Sequence, residues 1–359
     1  MKKIILKLTI FFFIISLIDY TVGSTFDRLF SRIEEGHFGG RINFAKKIKA
    51  DILIFGNSKT LHNYVPDIIS KKTGMTVFNV GMDGQSIFFH YGVEQILFSE
   101  YTPKVIVLDY NTSELLDDGG TSLSRLSVLL PFHKNPGVRE VIMKRSIYEP
   151  LKLISKIYPY NSNVFPILKF TLFPDNEGSK KTMGYLPLHR SSIVQLIERE
   201  EKGITAKKDL SKKPIDPAKA ATFKKFIKSA QEKGVLVIVA ESPFWHMDLY
   251  GDKLNKNMTE LYKKIREENS VPFISITQDS SEKFKDKNMF TDFIHLKHEG
   301  ALIFSEMFSE ELVKILRLET AKKKINFQIK QFETIKAPTQ SKTSMESRAY
   351  AAPSSLARP

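Results

Sequence analysis

The sequence predicts a three-layer α/β sandwich, with helices on both faces of a central parallel sheet of about five strands. Short apolar runs of strand length recur after residue 50, and amphipathic stretches with helical spacing separate them. Strands buried on both faces have continuous rather than alternating apolar sequences, which favours parallel pairing. The predicted strands are residues 52–55, 76–80, 105–108, 235–240 and 272–276, and the predicted helices include 87–98, 218–233 and 257–268.

A long interval follows the third predicted strand, from about residue 114 to residue 215. It contains several prolines among aromatic residues, and it is too long for a simple crossover between parallel strands. We interpret it as an insertion or lid within one α/β domain of residues 25–318. Residues 319–359 begin with a lysine-rich stretch. They end in a Ser/Ala/Pro-rich segment from residue 337, and its scarcity of large apolar side chains predicts disorder.

The N-terminal residues 1–24 have the composition of an export signal or membrane anchor. Three lysines precede an apolar run at residues 8–18, which extends to residues 4–22 if Lys7 snorkels. Cleavage after Gly23 is conceivable and would leave the protein secreted or periplasmic, but no A-x-A pattern is present. We therefore expect an uncleaved anchor with the remaining chain outside the cytoplasm. A buried core helix is the less favoured alternative.

Composition excludes several kinds of site. The chain of 359 residues contains no cysteine, which rules out disulfides, thiolate nucleophiles and zinc sites built on sulfur. Its net charge of +14 favours a solvated lysine-rich surface, with attraction to anionic glycans or lipid head groups as the alternative. No basic run is interleaved with aromatic residues, so we expect no nucleic-acid partner. No carboxylate cluster offers His62 or His90 metal-ligand spacing, so both are interpreted as structural, and we expect neither metal nor cofactor.

Ser58 follows the first predicted strand directly, in the sequence Gly-Asn-Ser. The carboxyl ends of strands are where open α/β sheets bind ligands. A serine on a strand-to-helix turn exposes its oxygen near the positive end of the next helix, which suits a nucleophile that passes through an oxyanion. A helix N-cap serine is the alternative, and for Ser58 taken alone it is the favoured one.

Two further strand ends carry groups that could donate hydrogen bonds to an oxyanion. After the second strand, residues 79–86 include Gly84, whose N–H could aim at a developing negative charge. After the third strand, the side-chain amide of Asn111 could supply another donor. A plain glycine turn and a turn-forming asparagine are equally good interpretations of these residues taken singly.

Asp292 and His295 lie just before the last apolar helix. The spacing D-x-x-H lets the carboxylate reach the imidazole within one loop and hold one tautomer, while the other ring nitrogen faces a serine. Such a pair often arises by chance, and its position before the last helix gives it weight. Trp245 and His246, past the fourth strand, are weaker candidates for binding a sugar ring; an aromatic that caps the sheet is favoured over this role.

These segments together resemble the SGNH/GDSL hydrolase superfamily over about residues 50–315. The first family block, Gly-Asp-Ser, is similar to residues 56–58. The second falls on Asn79 and Gly84, Asn111 matches the third, and the final D-x-x-H-x-x-x-x-G pattern is intact to Gly300. The resemblance implies an SGNH/flavodoxin-like fold. It also implies roles for five residues: Ser58 as nucleophile, His295 as base, Asp292 as its orienter, and Gly84 and Asn111 as oxyanion donors with the Ser58 N–H.

Three positions depart from the family pattern. Asn57 stands for an aspartate, Asp109 for a glycine, and Thr112 for a second acid. In these departures and in its N-terminal segment the chain looks like divergent, membrane-anchored members that modify cell-envelope polymers. It resembles the alginate O-acetylation proteins and the teichoic-acid D-alanylation protein.

The resemblance implies a cell-envelope O-acyltransferase or esterase that uses a Ser-His-Asp triad to transfer or remove an acyl group, by expectation acetyl, on a polysaccharide. The implied partners are that polysaccharide or its acyl ester, and a membrane-bound O-acyltransferase that delivers the acyl group. One alternative is a catalytically silent scaffold protein of an envelope polymer-modification complex. Another is a periplasmic lipase or esterase for small substrates, which predicts an apolar groove beside Ser58.

Overall fold

Five parallel strands form the centre of the structure: β1 (Ile52–Phe55), β2 (Val77–Asn79), β3 (Val105–Asp109), β4 (Leu236–Glu241) and β5 (Phe273–Ser275). They lie in the order β2-β1-β3-β4-β5, which is the order of flavodoxin-like doubly wound sheets. The predicted three-layer α/β fold with about five parallel strands is thus confirmed. The structure is a computed structural model, and it describes residues 1–36, 39–111, 113–174, 180–202, 210, 212–245 and 256–336.

The position of β1 inside the sheet explains why its sequence is apolar at every residue. Ile52 is in register with Val77 of β2 on one side and with Val105 of β3 on the other. All four side chains of β1 are buried. Because successive side chains of a strand point to opposite faces, full burial requires that both faces of the sheet be covered.

Helices provide that cover. On one face, the Phe226 ring packs edge to face against Phe55 of β1, with ring centroids 5.3 Å apart. Elsewhere in the core, the ring of Tyr64, which follows α3, packs on the last helix. Its centroid lies 4.8 Å from that of Phe304 and 5.1 Å from that of Phe308. Outside the long interval of residues 114–215, the described helices are α1 (Lys2–Arg32), α2 (Gly40–Ile48), α3 (Ser58–Asn63), α4 (Pro66–Thr73), α5 (Ile87–Phe98), α11 (Pro217–Glu232), α12 (Lys256–Glu268) and α13 (His298–Lys336).

The long interval of residues 114–215, which precedes α11, is helical where the structure describes it, and its two ends are joined. Leu116 forms an antiparallel bridge with Ile215, and the Asp216 N–H donates to the Leu115 carbonyl at 2.8 Å. The interval therefore leaves the sheet and returns to it at one place. Residues 175–179, 203–209 and 211 of it lie outside the described residues. Its helices are α6 (Thr121–Arg125), α7 (Pro136–Ile142), α8 (Glu149–Lys152), α9 (Val164–Leu172) and α10 (Ile193–Glu201), with 3₁₀ turns at Leu126–Phe132 and Tyr158–Asn163.

Helix α1 is continuous through the predicted anchor and beyond it. It is long and apolar enough to cross a membrane, and its large apolar side chains from Ile4 to Val22 are exposed. A buried core helix, the alternative interpretation, is therefore not what the structure has. Near its other end, Phe30 is buried and packs edge to face on Phe132.

The chain divides into two units, Met1–Val313 and Lys314–Pro359. In the second unit the described residues are helical as far as Lys336. The predicted disordered segment, residues 337–359, lies outside the described residues.

Candidate active site

Ser58 begins helix α3, one tight turn after strand β1. Gly56 makes that turn with φ +152°, and a Cβ at this position would meet Thr60 Oγ1 at 1.9 Å, so only glycine fits. Asn57 is the N-cap residue, and its side-chain oxygen accepts from the Lys59 N–H at 3.0 Å. The N-cap role considered for Ser58 therefore belongs to Asn57, and the Ser58 hydroxyl is left for other contacts.

That hydroxyl lies against His295, which is 237 residues away in the chain. Ser58 Oγ is 2.7 Å from His295 Nε2, and His295 Nδ1 is 2.8 Å from Asp292 Oδ2. A carboxylate only accepts hydrogen bonds, which places the ring proton on Nδ1 and leaves Nε2 to accept the Ser58 proton. The structure thus brings the three predicted triad residues together, in the geometry of a nucleophile, a base and a group that orients the base.

The carboxylate of Asp292 is fixed by its own loop. Its Oδ1 accepts from the backbone N–H groups of Ile294 and His295, both at 2.8 Å. Burial raises the pKa of Asp292, but the hydrogen bonds from the His295 ring and these two N–H groups outweigh burial and hold the pKa below its ordinary value. Asp292 is therefore ionised in neutral solution and accepts a hydrogen bond from His295 Nδ1.

Asn63, which the sequence did not single out, connects the serine helix to the histidine loop. It is fully buried at the end of α3, and its side-chain oxygen accepts from the Leu296 N–H at 3.0 Å. Its amide donates to Ser242 Oγ after β4, also at 3.0 Å. The loop after β4 is also bonded directly to the histidine loop, since the Trp245 N–H donates to the Phe293 carbonyl at 3.0 Å. The distance between Ser58 and His295 therefore depends on buried polar contacts from three segments.

A buried lysine and a buried aspartate lie close together next to the candidate nucleophile. Lys59, next to Ser58, is 1% exposed, and its Nζ donates to the Tyr110 carbonyl at 3.2 Å and lies 3.9 Å from Asp109 Oδ2. The Tyr64 hydroxyl donates to Asp109 Oδ1 at 2.7 Å. Burial raises the pKa of Asp109 and lowers that of Lys59. Asp109, which replaces the glycine of the resembled family, thus joins the ends of β1 and β3.

The two candidate oxyanion donors lie on turns after β2 and β3, the two strands that flank β1. Gly84 has φ +63°, and its carbonyl accepts from Arg125 Nη1 of the insertion at 2.8 Å. The Asn111 side-chain oxygen accepts from the Ser113 N–H at 3.2 Å, which is the turn contact expected of asparagine. Its amide NH₂ group is the donor that remains. Their contribution to an oxyanion site stays a prediction.

Asn79, the first residue of the second resembled block, has a structural role. Its amide donates to the carbonyls of Thr60 and Tyr64, at 2.6 and 3.0 Å, and its side-chain oxygen accepts from the Gly81 N–H at 2.9 Å. These bonds attach helix α3 to the end of strand β2. The position of Ser58 therefore depends on the loop that also carries Gly84.

The remaining candidates differ from the triad. Trp245 is 7% exposed and its ring lies 5.5 Å from that of Phe290, which favours the capping role over stacking on a sugar. His246 lies outside the described residues. His62, interpreted as structural rather than as a metal ligand, lies beside the triad, with its ring edge-on to His295 at 5.4 Å and its Nδ1 2.7 Å from the Leu186 carbonyl. Its spacing of four residues from Ser58 on one helix was the available signal.

Comparisons with known proteins add a distant structural likeness. No family model and no curated protein matches the sequence. Among solved structures, a candidate acylhydrolase from Bacteroides fragilis matches with 12% identity and a TM-score of 0.32, covering 73% of this chain and 87% of that one. The fold stated above rests on the strand order and pairing of this chain.

Proposed function

We propose that the protein is a serine-dependent acyl-transfer enzyme, with Ser58 as nucleophile, His295 as general base and Asp292 as the group that orients His295. The contact of 2.7 Å between His295 Nε2 and Ser58 Oγ carries the proposal. His295 and Asp292 remain 19% and 30% exposed, so a substrate can reach a site that is otherwise anchored by buried contacts. Distances of this kind are what proton transfer to a base requires.

In the proposed reaction, His295 Nε2 takes the hydroxyl proton while Ser58 Oγ bonds to an ester carbonyl carbon. The carbonyl oxygen becomes an oxyanion, for which the Ser58 N–H, the Gly84 N–H and the Asn111 amide are the proposed donors. The tetrahedral intermediate collapses to an acyl-enzyme, and the leaving alcohol takes the proton from His295. Water or a sugar hydroxyl then gives its proton to His295 and attacks the acyl carbon. The bond from that carbon to Ser58 Oγ breaks, and His295 returns the proton to Ser58 Oγ as the acid or the acylated sugar leaves.

The proposed setting is the outer face of a membrane. Helix α1 would hold the protein there, and an ester-bearing envelope polysaccharide would be the substrate or the acceptor. A membrane-bound O-acyltransferase is the proposed source of the acyl group. These assignments rest on the resemblance and on the exposed apolar surface of α1.

An acceptor experiment separates hydrolysis from transfer. The full chain in detergent is mixed with an activated acetyl ester, with and without an envelope oligosaccharide, and both free acetate and acetylated oligosaccharide are measured. We expect acetyl groups on the oligosaccharide, with a matching fall in free acetate. If the amount of free acetate is the same with and without the oligosaccharide, the protein is an esterase instead. If neither product exceeds that of Ser58→Ala, while the fluorescence of the single Trp245 reports a folded chain, the enzymatic proposal is wrong.

A further inference from the structure

The β3–β4 insertion exposes an apolar surface just before the segment that contacts helix α1. We define this α8 surface by Ile147, Tyr148, Leu151 and Ile154, whose exposed fractions are 85%, 60%, 67% and 74%. Clustered exposed apolar side chains of this kind mark a protein or membrane contact rather than an ordinary solvent face. The described part of α9 also exposes apolar side chains, but α9 packs on later turns of α1, and the inference below concerns the α8 surface alone.

The residues that follow the α8 surface are attached to α1. The carboxylate of Asp19 accepts from Ser155 Oγ at 2.5 Å, from the Lys156 N–H at 2.7 Å and from the Ile157 N–H at 3.3 Å. One turn later, Gly23 lets the two backbones meet, because a Cβ there would lie 2.4 Å from the carbonyl carbon of Lys156. The insertion is therefore held to α1 at residues 19–23.

This attachment coincides with the end of the exposed apolar part of α1. Residues 4–22 of an α-helix are about 28 Å long at roughly 1.5 Å per residue, close to the roughly 30 Å of a bilayer's hydrocarbon core. If α1 spans the membrane, Gly23 lies at its outer boundary and Asp19 lies about one helical turn inside it. The α8 surface, a few residues from the attached segment, then lies at the same level.

Basic and aromatic residues near the attachment suit a lipid boundary. Lys156 Nζ lies 5.8 Å from the centroid of the Tyr20 ring, and tyrosine is enriched at head-group level. Lys144 and Lys156 are exposed on either side of the α8 surface in the sequence. Their charges complement anionic lipid head groups. Apolar side chains flanked by lysines are the composition of an interfacial membrane segment.

We propose that the α8 surface inserts into the outer leaflet beside α1 and so forms a second membrane contact. The occupant of this surface is lipid, continuous with the lipid around α1. A single spanning helix permits rotation about its axis, whereas a second contact at the attached segment fixes the orientation of the domain. The proposal rests on the membrane anchoring proposed above and does not depend on ester chemistry.

The absence of cysteine makes a depth measurement direct. Leu151→Cys, Ile14→Cys and Lys264→Cys are made singly in the full chain, labelled with a nitroxide and placed in vesicles of phosphatidylethanolamine and phosphatidylglycerol. Collision of each label with oxygen and with a water-soluble nickel complex is measured. Ile14 reports the span, and Lys264, with a side chain 70% exposed on α12, reports an exposed polar position. We expect the ratio of oxygen to nickel collisions at position 151 to be several-fold above the ratio at position 264. It should be closer to the ratio at position 14 than to that at position 264.

Three results would overturn the proposal. If the label at 151 is as accessible to nickel as the label at 264, while the label at 14 lies in lipid, α1 is an anchor but the α8 surface makes no second membrane contact. Dipolar broadening between labels at 151, without lipid exposure, assigns the surface to a second copy of the chain. A label at 14 that is accessible to nickel removes the anchor itself. Ester turnover, measured on the same variants, reports separately on the proposed chemistry.

Discussion

Replacement of His295 by alanine is expected to lower acyl-enzyme formation by about 10³-fold or more, because the variant has no base to take the Ser58 proton. The residual rate would come from the oxyanion donors and from substrate positioning. Stopped-flow measurement of the release of nitrophenol from nitrophenyl acetate gives the rate of this step. Added imidazole is expected to restore part of the activity, since a small base can occupy the space left by the ring.

His189→Ala is the matched control for this variant. His189 is exposed, and its ring centroid lies 5.2 Å from that of His298. Among the described residues it forms no hydrogen bond, ion pair or ring contact with the triad. Its removal is expected to change the rate less than about twofold, as for most surface substitutions. Equal losses in both variants, or an unchanged rate in His295→Ala, would contradict the assignment of His295 as the base.

Replacement of Asp292 by asparagine is expected to lower the rate of acyl-enzyme formation by between about 10²-fold and about 10⁴-fold. The amide can donate to Nδ1, which would move the ring proton to Nε2, where it could no longer accept from Ser58. The native Asp292 pKa lies below the ordinary value, so its carboxylate keeps its charge until the pH falls below that value. Titration of Asp292 itself is therefore expected to add no step to the pH dependence of the native rate between about pH 6 and pH 9.

Asp286→Asn serves as the control in the same loop. The Asp286 carboxylate accepts from the Asn288 N–H at 2.9 Å, and the residue is exposed. It should leave the rate nearly unchanged. A rate for Asp292→Asn equal to that for Asp286→Asn would contradict the assignment of Asp292 as the group that orients His295.

The sheet could be predicted from the sequence because its strands are buried on both faces. Continuous apolar runs such as residues 52–55 are a direct consequence of that burial. The placement of the candidate site followed from the fold, since the loops after parallel strands converge at one edge of the sheet. The sequence alone could thus pair Ser58 with Asp292 and His295, which the structure places in hydrogen-bonding contact.

Other parts of the site could not be predicted, because they depend on tertiary contacts without a local signature. Asn63 is one of many asparagines in the sequence, and only the fold brings it between Ser242 and Leu296. The pairing of Lys59 with Asp109 likewise depends on the adjacency of β1 and β3. The attachment of the insertion to Asp19 is long-range in the same way.

Chemical modification of Ser58 tests the central claim most directly. The full chain in detergent is treated with a fluorophosphonate probe, and the adduct is mapped by peptide mass spectrometry. We expect one adduct on Ser58, none in Ser58→Ala, and an unchanged adduct in the exposed control Ser280→Ala, whose hydroxyl forms only a local cap. A folded protein that remains unlabelled at Ser58, or Ser58→Ala that is labelled as fast as the native chain, would contradict the proposed nucleophile.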